Sequence, residues 1–340
     1  MSLYQRRTKI IATLCPASTN KDMLIKLFQA GVNVFRINFS HGKANDHEKT
    51  IDLIHEIATE LKTRIAIMAD LQGPKIRIRS FKNQFIILKV GQKFTLDVNL
   101  NECDGNENIV GVTYAKLAKD VKKDDILLID DGRLSLQIIN INKNKIHCIV
   151  LIGGKLSSHK GVNCQGGGLS TPALTEKDKN DLKIALKKQV NYVAISFPCN
   201  ATDMLIAKEL IKQQTKHRTL VIAKIERAEA ITNLDEIIVA SDAVMVARGD
   251  LGVEIGDAEL PAVQKRIIHK CRINNKPVII ATQMMESMIN NTIPTRAEVS
   301  DVANAVLDIT DAVMLSAETA TGKHPDLVVK TMSHICERAE

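Results

Sequence analysis

The sequence predicts an α/β protein whose main unit is a closed (β/α)8 barrel, with a smaller β-rich unit inserted into it. Three observations lead there. Eight short, β-branched apolar runs alternate with stretches of helical periodicity, the pattern of a parallel sheet buried on both faces. Between the third and fourth runs, roughly a hundred residues break that rhythm and read instead as alternating strands and turns. The apolar runs also release polar groups at one end, as a barrel does where its strand C-termini converge.

The runs cover Lys9–Leu14, 32–39, 64–69, 192–197, Leu220–Ile225, Ala243–Ala247, 278–282 and 312–316. Helical spacing fills the gaps over Lys21–Ala30, 177–189, 203–214, 262–274 and Arg296–Leu307. Capping boxes open two of these helices, Thr175 with Asp178 and Thr295 with Glu298. Closure gives the TIM-barrel architecture; an open doubly wound sheet is the alternative. The first βα turn, Leu14-Cys-Pro-Ala-Ser18, lacks the glycine fingerprint of a dinucleotide fold. Within the interruption, alternation marks strands at 85–90, 93–98, Ile126–Ile129 and 134–141, separated by Asp104-Gly105, Asp131-Gly132, Asn142-Lys-Asn144 and Gly153-Gly154. Pro74 and Pro172 bracket it as stiff hinges. The division expected is 1–73 with 173–340 for the barrel, and 74–172 for an inserted small β-barrel lid.

Composition excludes several functions. Aromatic residues are 3% with no Trp, so stacking on nucleic acid is not the main business. The net charge of +7 is scattered among acidic residues rather than concentrated in basic blocks. The seven cysteines show no C-x-x-C pair, which argues against a zinc site or disulfide framework and for a reducing compartment. No run resembles a signal peptide or a membrane span, and a cytoplasmic location is expected.

The strand ends carry the chemistry. They deliver Arg36, Asn38 and Ser40, then Asp70, Ser196, Lys224 with Glu226, Asp250, Thr282 and Glu318. Glu226 and Asp250, on adjacent strands, offer hard oxygens suited to Mg2+ or Mn2+. Lys224 lies two residues before Glu226 and so on the same side of its strand, placed to neutralise charge developing on phosphate or enolate oxygen. The cation Arg248 and flexible Gly249 arrive beside Asp250, where a short helix would point its amides at an anion. Gly166-Gly-Gly168 lacks a following Lys-Ser/Thr pair and reads as a hinge loop, not a phosphate loop.

Together these segments resemble the pyruvate kinase family. The resemblance is carried by Phe35-Arg-Ile-Asn-Phe-Ser-His-Gly42, Asp70-Leu-Gln-Gly-Pro-Lys-Ile-Arg77, Lys160-Gly-Val-Asn163 and Lys224-Ile-Glu226. It continues through Ala247-Arg-Gly-Asp-Leu-Gly-Val-Glu254, Ala281-Thr-Gln-Met-Met-Glu-Ser-Met288, Pro294-Thr-Arg-Ala-Glu298 and Ser316-Ala-Glu-Thr319. It implies phosphoryl transfer from phosphoenolpyruvate to ADP, giving pyruvate and ATP as the last step of glycolysis. Glu226 and Asp250 would hold the metal, and Lys224 would stabilise the phosphoryl group and enolate. Arg36 would contact phosphate, amides around Gly249 and Asp250 the substrate carboxylate, and Thr282 the methylene that is protonated. Asn38, His41, Arg77 and Lys160 would lie on the nucleotide side. A homo-oligomer through the barrel is implied, with no nucleic-acid or membrane partner.

Three departures stand out. The family usually continues past the position of Glu340 into a further domain. Cys164-Gln-Gly-Gly-Gly-Leu-Ser170 replaces a Leu-Pro-Gly-containing hinge. Around the monovalent-cation region of Asn38, Ser40 and Asp70, Leu71 and Lys75 replace the Thr and Glu of potassium-dependent relatives, so potassium is not expected to be required. A Mg2+-dependent pyruvate aldolase on a similar barrel and a non-catalytic binding protein are the rivals. The inserted unit argues against the first, and the retention of Lys224, Glu226, Asp250 and Thr282 against the second.

Overall fold

Alternation along each barrel strand decides which side chains reach the site. The structure, a computed structural model, describes residues 6–340. Its strands, in chain order, begin with β1 (Lys9–Leu14), β2 (Val34–Asn38) and β3 (Ala66–Asp70). The inserted unit follows with β4 (Phe85–Leu88), β5 (Lys93–Asp97), β6 (Ile109–Gly111), β7 (Ile126–Ile129), β8 (Leu134–Asn142), β9 (Lys145–Ile152), β10 (Gly154–Ser157) and β11 (Val162–Cys164). The barrel resumes with β12 (Tyr192–Ile195), β13 (Leu220–Ile225), β14 (Ala243–Ala247), β15 (Val278–Ala281) and β16 (Ala312–Leu315). All barrel pairings are parallel, in the closed order β1-β16-β15-β14-β13-β12-β3-β2. The open doubly wound alternative is therefore excluded.

Two apolar layers follow from the period of two. Ile10, Ala12, Phe35, Ile37, Val244 and Val246 face outward and pack against helices such as Lys21–Ala30 and Pro325–Ala339. Ile11, Val34, Met68, Ala194, Ile222, Met245, Ile279 and Met314 fill the interior as a separate cluster. Two residues further along the same inward rows stand Thr13, Arg36, Asp70, Ser196 and Lys224. The barrel floor is apolar and its next layer is polar by register alone.

The helices begin where side chains can cap them. Asn20 accepts from Met23 N, and both anticipated capping boxes are formed, at Thr175/Asp178 and Thr295/Glu298. Asp178 is fully buried and also accepts from Gly73 N at 3.0 Å, which ties the chain's exit from the barrel to the helix Glu176–Lys187. Gly73 is required there, because its φ is +67° and a Cβ would fall 2.7 Å from that of Ser196.

The inserted unit builds a six-stranded sheet ordered β11-β7-β8-β9-β5-β6 and a two-stranded ribbon of β10 with β4. They share one apolar core, from Ile76 and Phe94 to Leu156 and Leu169, distinct from the barrel's. The sequence reading missed β6, β9, β10 and β11. Two of these are three residues long, below the length at which alternation is legible.

Candidate active site

Lys224 is the centre of a buried polar network at the C-terminal mouth of the barrel. Its Nζ donates to Ser196 Oγ at 2.7 Å and lies 3.1 Å from Asp70 Oδ1 and 2.9 Å from Glu226 Oε1. Asp70 also receives Arg36 Nε at 2.7 Å, and Arg36 Nη1 donates to Thr13 Oγ1 at 2.9 Å. These four charged residues are each no more than 9% exposed. Burial would push the Asp70 carboxyl up, but Lys224 and Arg36 outweigh it and hold it below the usual carboxylate range. Lys224 shows the mirror effect. Burial would lower it, yet Asp70 and Glu226 hold it above the ordinary lysine value, so it stays an ammonium.

Glu226 is the group left short of positive charge. Burial raises its pKa, Asp250 and Asp70 raise it further, and Lys224 only partly offsets them. Its second oxygen accepts from Phe197 N at 2.9 Å. The Asp250 carboxylate shares this corner and receives Lys75 Nζ on Oδ1 at 2.8 Å. Two converging carboxylates, one buried and under-compensated, fit a hard divalent cation that completes its shell with water and substrate oxygens. Among the described residues, no group of three His, Cys, Asp or Glu is arranged as a fully protein-ligated metal site.

The loop after β15 completes the mouth. Thr282 has φ +69° and Gln283 φ +55°, uncommon for non-glycine residues and most costly for a β-branched one. Thr282 Oγ1 accepts from Gly249 N at 2.8 Å, at the start of the helix Arg248–Ile255. Arg248 explains why the strain persists. Its guanidinium donates to the carbonyls of Thr282 and Gln283 and pairs with both oxygens of Asp301, at 2.9 and 2.8 Å. Sequence reasoning took Arg248 as a cation delivered to an anion site; the structure spends it as a clamp beneath the loop. It missed Asp301, whose partner lies 53 residues away in the chain.

Glu318 is a second correction. It is 2% exposed and accepts from Met285 N and Ser316 N, so it braces backbone at the end of β16 and takes no place in the network. Its position in the pattern was right, but register alone does not show that a carboxylate is consumed by amides.

Beside Arg36 opens a cavity of about 780 Å³, lined by Thr13, Pro16, Asn38, His41, His47 and Thr50 among others. Asn38 and His41 were anticipated here; Pro16, His47 and Thr50 were not, since their motifs are unremarkable in sequence. Burial lowers the His41 pKa, and Arg77, Arg36, Lys75 and Lys177 lower it further, so the ring is neutral at pH 7 in a positive field. Arg77 and Lys160 stand on the inserted unit, where Arg77 Nη1 donates to the His159 carbonyl and Lys160 pairs with Asp130 at 2.7 Å. Of the residues that the sequence assigns to a monovalent cation, Asn38 Oδ1 accepts from Ser40 N, and Leu71 is buried with its carbonyl accepting from Ser196 Oγ. The Lys75 ammonium contacts Asp250.

Residues 5–329 match the family model described as the pyruvate kinase barrel domain. A pyruvate kinase from Buchnera aphidicola subsp. Schizaphis graminum is 54% identical over 338 residues, covering 98% of this chain and 70% of that protein. Pyruvate kinase II from Salmonella typhimurium is 52% identical, covering 100% of this chain and 71% of its own length. Among solved structures, a pyruvate kinase from Cryptosporidium parvum superposes with a TM-score of 0.94 at 39% identity, covering 98% of this chain and 69% of that one.

Proposed function

The chain belongs to the pyruvate kinase family, enzymes that transfer phosphate, and on that premise we propose how its own residues carry the reaction. The reaction is phosphoenolpyruvate + ADP + H+ giving pyruvate + ATP, the last step of glycolysis. One observation carries the proposal: a single buried ammonium, Lys224, lies beside a buried carboxylate, Glu226, that stays short of positive charge and shares its corner with Asp250.

The bond from phosphorus to the enol oxygen breaks and a bond to the terminal oxygen of ADP forms, leaving an enolate. Lys224 sits where negative charge passes from the phosphoryl group to that enolate, and its position is fixed in advance by Asp70 and Ser196, so little reorganisation is needed. Arg36, aimed by Asp70 and Thr13, holds phosphate. The substrate carboxylate meets amides at Gly249 and Asp250, and Thr282 stands at the carbon that takes the proton. Glu226 and Asp250 would hold Mg2+ or Mn2+, which supplies Lewis-acid neutralisation of phosphate and enolate oxygens when bound.

The cavity of about 780 Å³ beside Arg36 has a size suited to a nucleotide. Asn38 and His41 line it, while Arg77 and Lys160 approach from the inserted unit, taken here as residues 74–172 between barrel segments 1–73 and 173–340. Lys75 supplies a fixed cation in place of potassium. A cytoplasmic homo-oligomer associating through the barrel fits this reading, and no helix among the described residues is long and apolar enough to cross a membrane. The test is ATP formation from phosphoenolpyruvate and ADP, coupled to a light or absorbance readout, with purified protein and Mg2+. No ATP with Mg2+, nor with Mn2+ in its place, would overturn the proposal.

A further inference from the structure

Arg227 follows Glu226 directly at the end of β13, so the two side chains leave the chain on opposite sides. Glu226 enters the site. Arg227, only 4% exposed, reaches instead to the segment by which the chain returns from the inserted unit to the barrel. Its Nη1 donates to the Leu169 carbonyl at 3.1 Å and to Cys199 Sγ at 2.8 Å, its Nη2 donates to Thr171 Oγ1, and its guanidinium stands 5.9 Å from the centre of the Phe197 ring. Burying a guanidinium is costly, and here Glu229 and Glu254 offset the cost through space while its hydrogen bonds go elsewhere. What the molecule gains is a grip on the hinge.

The hinge needs a grip. Gly166, Gly167 and Gly168 have φ of +79°, +85° and +102°, a run of backbone that few other residues tolerate. Gly168 N donates to Glu229, two residues beyond Arg227. On the other side, Glu254 accepts from Gly166 N through its carbonyl at 3.0 Å and from Asn163 Nδ2 through its carboxylate at 3.2 Å. Its other carboxylate oxygen accepts from Ala228 N at 2.9 Å. Two short segments therefore each serve both the site and the hinge. The end of β13 gives Glu226 to the site and Arg227 with Glu229 to the hinge. The helix Arg248–Ile255 gives Asp250 to the site and, one turn further along the same face, Glu254 to the hinge.

We propose that Arg227 is a positioning residue, which latches the return hinge at Leu169 and Thr171 and so fixes the stance of the inserted unit over the Glu226/Asp250 pair. It touches no reacting atom. The proposal rests on the catalytic reading above only where it concerns turnover; the latch itself is tested without substrate.

The decisive variant is Arg227→Gln, studied as the full chain with Mg2+. Amide hydrogen exchange at Gly166, Gly167 and Gly168 should accelerate at least about tenfold, as expected when hydrogen bonds holding a local segment are lost. In turnover, kcat/KM for ADP should fall about 10- to 100-fold, because Arg77 and Lys160 ride on the displaced unit. Deuterium exchange into the pyruvate methyl group uses only groups on the barrel and should stay within about threefold of the parent rate. Unchanged hinge exchange would overturn the latch, as would an equal fall in all activities. A parent protein that makes no ATP would sink the catalytic reading while leaving the exchange experiment decisive. Should Arg227→Gln not fold, Thr171→Val removes one acceptor at nearly constant shape, and the same readouts decide.

Discussion

Replacing Lys224 by Met removes the one cation that faces both Asp70 and Glu226. At an effective dielectric of about 20, a unit charge 3 Å from another contributes on the order of 5 kcal/mol, most of it offset by the cost of burying the ions. The structure shows what remains after the change. Asp70 keeps Arg36 at 2.7 Å, whereas Glu226 keeps only the Phe197 amide at 2.9 Å. One stranded carboxylate rather than two puts the expected loss near the low end for breaking a buried pair, about 3 kcal/mol. Catalysis should fall further than stability alone explains. Losing one preorganised donor at a developing oxyanion typically costs about 10²- to 10³-fold in kcat, and Met offers no substitute. The assay is equilibrium denaturation beside steady-state ATP formation at saturating phosphoenolpyruvate and ADP, under conditions where the variant remains folded. Methyl-proton exchange into pyruvate, which skips phosphoryl transfer, should be less affected. A folded variant with kcat within about tenfold of the parent would refute the role given to Lys224, and unchanged stability would refute the account of its network.

Other outcomes follow from single contacts. The parent protein should reach full activity with tetramethylammonium as its only monovalent cation; Lys75→Glu should be impaired and partly rescued by added potassium, and a strong potassium requirement in the parent would count against the reading. Burial, with Glu229 adding repulsion and the Ala228 amide, Asn163 and Arg227 opposing it, raises the Glu254 carboxyl from 4.5 to about 7. Because the folded value is the higher one, the ionised group weakens the fold as pH rises from about 4.5 through 7, by at most about 3 kcal/mol. Glu254→Gln should therefore gain on the parent between pH 5 and pH 8 in denaturant titrations, and parallel pH profiles would show that Glu254 titrates normally. Gly167→Ala combines a left-handed φ of +85° with a Cβ directed onto the Glu229 carboxylate. It should cost about 1–2 kcal/mol, read as a lower denaturation midpoint; an unchanged midpoint would mean the loop relaxes without loss.

The sequence by itself determined the barrel, because eight β-branched runs separated by amphipathic helices have few ways to bury both sheet faces. It also determined most of the polar mouth. Lys224 and Glu226, or Arg36 and Asn38, share a side of their strands by the period of two, and that period survives folding. Tertiary structure decided what the pattern could not carry. Arg248 and Glu318 sit where site residues should be, yet one is spent on Asp301 and the Thr282 loop and the other on backbone amides, partners fixed only when distant segments meet. Lys75 reads in sequence as a stand-in for potassium, and only the fold brings it to Asp250, 175 residues away. The hinge shows the limit most clearly. Three consecutive glycines announce a flexible loop in the sequence, but the buried Arg227 that holds its far end can be found only in three dimensions. A hydrogen bond depends on distance in space, and local pattern encodes direction along the chain, not the arrival of a partner.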